Sequence, residues 1–248
     1  MDIKVLEKKE NSAKFLIKGV NTAFMNALRR TMANSIPVLA IENVNIYENS
    51  SVMFDEMLAH RLGLIPIKTE TKKYGKGEKV NLVLEKEGPG MIYSRDLKGS
   101  VGVEVVDKRV PIVKLGKNQK IKLEMEAVIG TGKEHTKWSP ALVSYNELPS
   151  IDNLKECNLC KKCVEACSKN ILEVKAKKII LKDPTKCDLC GACKDECKEG
   201  NLELSYSKDT FIMRIESTGG LEVKEIIEQA VNTLEEKTAE FKKELNKV

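Results

Sequence analysis

The chain has 248 residues, 42% of them apolar and 32% charged, with a formal net charge of +5. This composition predicts a soluble protein of two or three compact units and excludes a disordered tail protein. No stretch approaches the ~20 consecutive apolar residues that a membrane span needs. The first residues show no secretory signal, so we expect a cytoplasmic protein with no membrane partner.

The first elements predicted are a β-hairpin and a helix. Ile3 and Val5, followed by the segment 13–17, alternate around a turn-prone stretch and indicate two paired strands. A helix is expected next, with Asn21 or Thr22 as its cap and Pro37 beyond its end. The expected apolar face of this helix consists of Phe24, Ala27, Leu28 and Thr31.

A strand and a second helix are expected to follow. The strand runs from Val38 to Tyr47. The helix begins with Asp55 as its cap and ends at Gly63, with Pro66 just beyond. Its apolar side chains are Met57, Leu58 and Leu62.

The segment from Tyr74 to about Pro149 predicts a small sheet-rich domain. It begins with the turn-prone residues 74–77, and Gly and Pro separate short runs of strand-forming residues. The predicted strands are Val80 to Leu84, Val101 to Val106 and Ile121 to Ala127.

The last part of the chain predicts a strand and a long helix. The strand contains Phe211, Met213 and Ile215, and the helix runs from about Leu221 to Asn246. Its apolar stripe consists of Val223, Ile227, Ala230, Val231, Leu234, Thr238, Phe241 and Leu245. The stripe is longer than a typical globular helix provides, so a partner helix is as good an explanation as internal packing.

Eight cysteines carry the clearest chemical signal in the sequence. Two runs of C-x2-C-x2-C-x3-C follow each other at a constant offset of thirty residues, which indicates an internal duplication. In two-cluster bacterial ferredoxins the first three cysteines of such a run bind one [4Fe–4S] cluster and the fourth binds the other. The spacing therefore predicts one cluster on Cys157, Cys160, Cys163 and Cys197, and a second on Cys187, Cys190, Cys193 and Cys167.

Two other interpretations of the cysteines are weaker. Structural zinc usually takes two separated C-x2-C pairs, and disulfide bonds are rare in the cytosol. The segment 151–204 contains no Phe, Trp or Tyr and so has little with which to build a core. A hairpin of 171–174 and 178–181 is expected to join its two halves. Ser168 and Lys198 stand where ferredoxins usually have a proline, which concerns the redox potential more than the ligands.

No active site is visible elsewhere in the sequence. The two histidines, His60 and His135, lack a neighbouring nucleophile motif, so a packing or surface role is expected for both. Phosphate-loop, dinucleotide and zinc-protease motifs are missing from the sequence. Two clusters would each add about −2 and bring the net charge near +1, which argues against direct nucleic-acid binding.

Four stretches outside the cysteine runs resemble the D subunit of archaeal RNA polymerase. They are NTAFMNALRRTMANSIPVLAIENVNI at 21–46, FDEMLAHRLGLIPI at 54–67, MIYSRDLKG at 91–99 and GTGKEHTKWSPA at 130–141. Together with the last helix they cover most of the chain, and the N-terminal domain of the bacterial α subunit is a more distant relative.

The resemblance implies a non-catalytic assembly subunit that forms a heterodimer with the small subunit L. It also implies contacts with subunits N and P and with the second-largest subunit, while the catalytic aspartates belong to the largest subunit. The partner-binding residues it suggests on the first and last helices are Phe24, Leu28, Ile227, Leu234, Phe241 and Leu245. In this family the cysteine module is an insertion, which here has both four-cysteine sets.

The predicted fold class is α+β. Residues 1–46 and 205–248 are expected to form one discontinuous dimerisation domain, with a sheet-rich platform domain at 47–150. A ferredoxin-like module would occupy 151–204. The competing function is an electron-transfer subunit of an oxidoreductase, which the cysteines alone would favour. The rest of the chain, which resembles a polymerase subunit, favours the assembly role.

Overall fold

The computed structural model describes residues 1–70, 78–100, 102–154, 157, 158 and 160–247. The strands of this part of the chain are β1 Asp2–Lys8, β2 Ser12–Lys18, β3 Val38–Asn49, β4 Lys79–Glu87, β5 Gly90–Tyr93, β6 Lys98–Gly99, β7 Pro111–Leu115, β8 Lys120–Gly130, β9 Ala141–Asn153, β10 Leu172–Lys175, β11 Lys178–Leu181 and β12 Leu202–Ser217. The helices are α1 Thr22–Asn34, α2 Asp55–Gly63, α3 Lys162–Glu165, α4 Ala192–Asp195 and α5 Val223–Leu245. The architecture is mixed, rich in sheet and poor in helix.

One four-stranded sheet has the order β1-β2-β12-β9. The predicted N-terminal hairpin is confirmed, because β1 and β2 pair antiparallel with Ile3 opposite Ile17. The predicted strand around Phe211 is also confirmed, but it is much longer than expected and begins at Leu202. Strand β9, which the sequence did not predict, forms the other edge of this sheet.

A second four-stranded sheet has the order β3-β8-β4-β6, beside a two-stranded sheet of β5 and β7. The predicted strands at 38–47, 80–84 and 121–127 are confirmed within β3, β4 and β8. Alternate residues of β4 and β8 are buried, as a sheet with one covered face requires. They form the core of this region with Leu58, Leu62 and Ile92, and the buried members of the two strands are Val80, Leu82, Leu84, Ile121, Leu123, Met125 and Ala127.

The strand predicted from Val101 to Val106 is wrong for the residues that the structure describes. Residues 102–106 contain only an isolated bridge between Val105 and Ile67. Val105 is buried in the core of this region, and Val103 is half-buried against it. Burial alone produces the same alternation of apolar residues as a paired strand. Val101 and the predicted turn at 74–77 lie outside the described residues.

Helix α1 begins where the sequence predicts, but only two of the four residues predicted for its apolar face, Leu28 and Thr31, are buried. Asn21 caps it, since its side-chain oxygen accepts the backbone N–H of Phe24 at 2.9 Å. The buried side chains are Met25, Leu28, Thr31 and Met32. Phe24 and Ala27 are exposed, contrary to the predicted face. Apolar residues cover more than half of this helix, so periodicity alone does not identify its inner side.

A loop distant in sequence fixes the C-terminal end of α1. The hydroxyl of Ser139 donates to the carbonyl of Ala33 at 2.7 Å, and the backbone N–H of Lys133 donates to the carbonyl of Asn34 at 3.1 Å. The last carbonyls of a helix have no partner within the helix, so these bonds satisfy two of them. Gly132 lies so close that a Cβ there would be 2.8 Å from the carbonyl oxygen of Ala33.

Helix α2 begins one residue earlier than predicted, because Asp55 was expected to be its cap. Phe54 occupies the cap position without a side-chain hydrogen bond, and Asp55 is the first helical residue. Leu58 and Leu62 are buried as expected, whereas Met57 is exposed. Asp55 is still favourable there, because carboxylates in a first turn interact well with the helix dipole.

Helix α5 spans 23 residues, within two residues of the predicted bounds. Its buried residues are Val223, Ile226 and Ala230, all in the first three turns. Beyond Ala230 the apolar stripe continues without full burial, and Val231, Phe241 and Leu245 are exposed. The stripe therefore exceeds what the chain itself covers.

By its internal contacts the chain divides into two compact units. One contains Met1–Lys8, Ala13–Ala27 and Ser144–Arg214, and the other contains the described residues of Lys9–Ser12, Leu28–Val143 and Ile215–Val248. The predicted domain boundaries at 46/47, 150/151 and 204/205 fall inside β3, β9 and β12. No turn residues mark a domain boundary that lies inside a strand. The three-domain division therefore stays a prediction.

None of the described helices has the length and apolar character to cross a membrane.

We expect Gly132→Ala to lower the free energy of unfolding by about 1–3 kcal/mol, a typical range for a methyl group forced into a packed site. The reason is that backbone atoms of α1 occupy the space that the methyl group would need. Urea unfolding of the two proteins measures the difference. Gly63→Ala is the matched control, because a Cβ there meets only the carbonyl oxygen of Ile41 at 3.5 Å. Equal stability of the two variants would contradict the proposed close contact.

Candidate metal centre

Around α3 and α4 the two cysteine runs adopt the same backbone structure thirty residues apart. Lys161 and Gly191 both have a positive φ, of 59° and 83°, directly before the short helices α3 and α4. Each carbonyl accepts two helix N–H groups, from Val164 and Glu165 in the first run and from Lys194 and Asp195 in the second. The duplication inferred from the spacing is therefore a duplication of structure.

The same correspondence holds after the fourth cysteine of each run. The N–H of Asn170 donates to the carbonyl of Cys167, and the N–H of Gly200 donates to that of Cys197. Asn170 and Gly200 both have a positive φ, which asparagine and glycine adopt most readily. These turns position the fourth cysteine of each run.

A hairpin joins the two halves, as the sequence predicts. Strands β10 and β11 pair antiparallel with Lys175 opposite Lys178. Ala176 and Lys177 form a two-residue turn with φ values of 47° and 60°, the left-handed conformation of a type I′ hairpin. The N–H of Cys157 donates to the carbonyl of Lys177 at 2.9 Å, which fixes the first run against this turn.

The cysteines line two separate cavities, four at each. The first cysteine site consists of Cys157, Cys160, Cys163 and Cys197. The second cysteine site consists of Cys167, Cys187, Cys190 and Cys193. In each set three cysteines come from one run and the fourth comes from the other run, which is the grouping that cross-ligation requires.

Electrostatic interactions between the thiols give the same grouping. Burial raises the pKa of Cys163, and the charges of Cys197, Cys157 and Cys160 raise it further. Burial likewise raises the pKa of Cys193 to about 11, with further contributions from Cys187, Cys190 and Cys167. Burial also raises the pKa of Cys187, to which Asp188 contributes. Thiolates crowded in this way repel each other unless a positively charged group compensates them.

The thiol sets fit the chemistry of an iron-sulfur cluster. None of the eight cysteines forms a disulfide bond, and thiolates are the usual ligands of such clusters. Among the described residues no three side chains of His, Cys, Asp or Glu are close enough to hold one metal ion. A four-iron cube does not need that proximity, because its four thiolates bind four different iron atoms.

The small core of this region contains the candidate ligands themselves. Its buried residues are Cys157, Cys163, Leu172, Ile179, Cys193 and Leu202. Half of them are cysteines, and the others are aliphatic. The polar residue Asn153 supports this core, since its side chain exchanges two hydrogen bonds with the backbone of Ile179 at 2.7 and 3.0 Å.

Strand β2 contacts the turn directly before the second run. The ammonium group of Lys14 donates to the carbonyl of Thr185 at 2.6 Å. Thr185 belongs to the 3-10 turn Pro184–Lys186, which Asp183 caps and which directly precedes Cys187. Partial burial lowers the pKa of Lys14, and the nearby charge of Arg214 lowers it further.

The two histidines have local structural roles. His135 caps the turn Thr136–Trp138, where its Nδ1 accepts the N–H of Lys137 at 3.1 Å. His60 lies exposed in the last turn of α2.

The residues predicted to bind a partner differ widely in exposure. Phe24, Phe241 and Leu245 are exposed, with 40%, 67% and 56% of their surface accessible. Ile227 and Leu234 are half-buried. Leu28 is only 7% exposed and belongs to the buried face of α1, so its place in the fold is the interior.

Residues other than the cysteines distinguish the two cavities, and the cysteine spacing does not reveal them. Asn201 lines the first cysteine site, and Ile171, thirty residues earlier, lines the second. Lys198 and Ser168 correspond in the same way. Extending the comparison of the two runs beyond the cysteines would have found these pairs.

Comparison with known proteins identifies relatives over almost the whole chain. Residues 14–238 match the RNA polymerase Rpb3/Rpb11 dimerisation domain. DNA-directed RNA polymerase subunit Rpo3 of Methanothermobacter thermautotrophicus is 38% identical, over 96% of both chains. The Rpo3 subunits of Methanosarcina acetivorans and Pyrococcus horikoshii are 36% and 35% identical, over 97% and 99% of this chain and 97% and 98% of their own lengths.

The grouping of the cysteines predicts which ligand variants behave alike. Cys197→Ser is expected to remove the same half of the bound iron as Cys157→Ser, about four of eight atoms, because both residues line the first cysteine site. Cys187→Ser should remove the other half. Iron analysis and absorption or EPR spectra of the anaerobically reconstituted protein distinguish the two half-loaded species. If Cys197→Ser instead gave the species of Cys187→Ser, ligation would be local within each run.

Proposed function

Because the chain belongs to the RNA polymerase Rpb3/Rpb11 dimerisation-domain family, we propose that it is a non-catalytic assembly subunit of an archaeal DNA-directed RNA polymerase. The observation that carries the proposal is the family match from residue 14 to 238, which includes the segments on both sides of the cysteine module. The relatives are subunits of DNA-directed RNA polymerase, so the catalytic activity belongs to a complex and not to one such subunit.

The proposed first step of assembly is a heterodimer with the small polymerase subunit L. Dimerisation within this family supports a partner subunit, and the exposed stripe of α5 offers a surface for it. Phe241 and Leu245 are large apolar side chains of the kind that anchor protein interfaces. Phe24 of α1 is exposed as well. Subunits N and P and the second-largest subunit would join the heterodimer afterwards.

The proposed cofactors are two [4Fe–4S] clusters. Cys157, Cys160, Cys163 and Cys197 would hold one, and Cys187, Cys190, Cys193 and Cys167 would hold the other. The two four-cysteine cavities support this assignment. When bound, such a cluster supplies one-electron chemistry and a rigid cross-link between its ligands. The chain's own residues supply the thiolates, shape the cavities and hold the two runs together.

An electron-transfer subunit of an oxidoreductase is the alternative for the cysteine module alone. The family match favours the polymerase assignment, because it covers the dimerisation segments as well as the cysteines.

We expect the double variant Leu234→Asp, Phe241→Asp to weaken binding of the small partner subunit by at least ~100-fold, since two apolar contacts become buried charges. The two residues lie two turns apart on one face of α5. Titration of one purified subunit into the other measures the dissociation constant.

The matched control for this variant is Asn232→Asp together with Ala239→Asp. Both residues are exposed and lie on the side of α5 opposite to Leu234 and Phe241. The control also introduces two aspartates and should leave binding within about threefold of the native value. Binding by the Leu234, Phe241 variant as tight as that of the control would rule out α5 as the main contact.

Removal of the clusters is expected to separate two stages of assembly. A variant with all eight cysteines as serine should keep the heterodimer, because neither α1 nor α5 contains a cysteine. It should bind the larger subunits several-fold more weakly, because the cysteine module loses the ligands that order it. Pull-down of subunit L and of the second-largest subunit measures the two stages. Loss of the heterodimer, or full assembly at normal yield, would each contradict this role.

A further inference from the structure

The walls of the two cysteine sites differ in polarity although their backbones correspond. Among the described residues, the first cysteine site is lined, apart from its cysteines, by polar residues and one aliphatic residue, namely Asn158, Lys162, Ile179, Glu196, Lys198, Glu199 and Asn201. The second cysteine site has five aliphatic residues, namely Ile151, Ile171, Leu172, Leu181 and Leu204, beside Ser168, Lys169, Asp188 and Gly191.

Net charge does not distinguish the two walls. Two lysines and two glutamates are the charged residues of the described part of the first wall, so their charges cancel. At the second site Lys169 and Asp188 cancel each other and form an ion pair at 3.9 Å. The difference therefore lies in how well each wall solvates additional charge.

One pair of corresponding residues shows this difference at a buried position. Asn201 and Ile171 occupy the same position of the duplicated structure and are equally buried, each 5% exposed. The amide of Asn201 donates to Glu199 at 3.3 Å, and Glu199 also accepts from Asn158 at 2.6 Å. Asn158 in turn accepts the backbone N–H of Cys160 at 3.2 Å. Polar groups thus extend from the first wall to a candidate ligand, whereas Ile171 offers no polar group.

We infer that the two cysteine sites have different electron affinities and that the first site is the one that accepts an electron. The inference rests on the proposed clusters. Four thiolates and a four-iron core of charge about +2 together carry about −2. Transfer of one electron from a low-potential donor adds one negative charge, and no proton or ligand need move. A polar wall stabilises this added charge, and an aliphatic wall of low dielectric constant disfavours it.

The second site then has the structural role. Four residues of its aliphatic wall, Ile151, Leu172, Leu181 and Leu204, belong to or pack against the core of the module, compared with Ile179 alone among the described non-cysteine residues of the first wall. A site that resists reduction keeps one charge state while the first site changes its own. We expect the first site to hold the electron at least ten times as often as the second, which corresponds to 59 mV for a one-electron couple.

The duplication provides variants in which each residue is replaced by its counterpart. Lys198→Ser removes a cation of the first wall at an exposed position and introduces the residue found at 168. Asn201→Ile introduces the residue found at 171. Both should lower the higher midpoint potential and leave the lower one unchanged. Lys169→Ser, which alters the second wall, is the control and should move only the lower midpoint.

The experiment is an EPR-monitored titration of the full chain with dithionite, after anaerobic reconstitution and iron analysis. Two separate midpoints, of which Lys198→Ser shifts only the higher, are the expected result. Coincident midpoints, or a shift of the lower midpoint by Lys198→Ser, would overturn the inference. If iron were near eight per chain in that case, the proposed clusters would still stand. Iron far below this content would overturn both. Because Lys198 is exposed, its variant tests the inference even if Asn201→Ile fails to fold.

Discussion

The convergence of four cysteines on each of two cavities is the constraint on which the structure of residues 151–204 depends. This segment has no aromatic residue, and half of the buried residues of its core are cysteines. The side chains that would bind metal are therefore the same ones that fill the interior. With protonated thiols half of the buried core residues are small, weakly interacting groups, while thiolates without a counter-charge repel one another. Under the proposed ligation, metal binding and folding of this segment become one process.

The grouping of the cysteines could be predicted in more detail than any other feature, because it follows from their spacing along the chain. A run of C-x2-C-x2-C permits only a tight loop, and the turn at Ala176 and Lys177 was identified from the strand patterns on either side. Helix α5 and the N-terminal hairpin were also predicted within about two residues, since each is a local pattern. By contrast, strands β5 to β7 and β9 were missed and the strand at 101–106 was wrong. Pairing with a distant strand decides these cases, and the local sequence does not contain that information.

The faces of the helices could not be predicted either, and the reason differs from one helix to the other. In α1, apolar residues surround most of the helix, and tertiary packing selects Met25 and Met32 for the interior instead of Phe24 and Ala27. In α5 the predicted stripe includes the buried Val223 and Ala230 but not the fully buried Ile226, and the chain covers only the first three turns of the helix. A heptad-like pattern reports that a surface is suited to burial without saying which molecule buries it. Exposure of Phe241 and Leu245 in the single chain therefore adds information that periodicity lacks.

The duplicated half-modules allow the effect of individual side chains to be separated from that of the backbone. The turns at Lys161 and Gly191, and those at Asn170 and Gly200, have the same hydrogen bonds. The backbone at these turns therefore does not distinguish the two sites, whereas the residues that line them do. Asn201 and Ile171 are equally buried, so access of solvent at this position does not explain a difference either. The walls of the two sites do differ in polarity, whereas the turns that present the thiols are the same in both halves. A duplicated binding module can in this way give its two sites different chemistry with the same ligands.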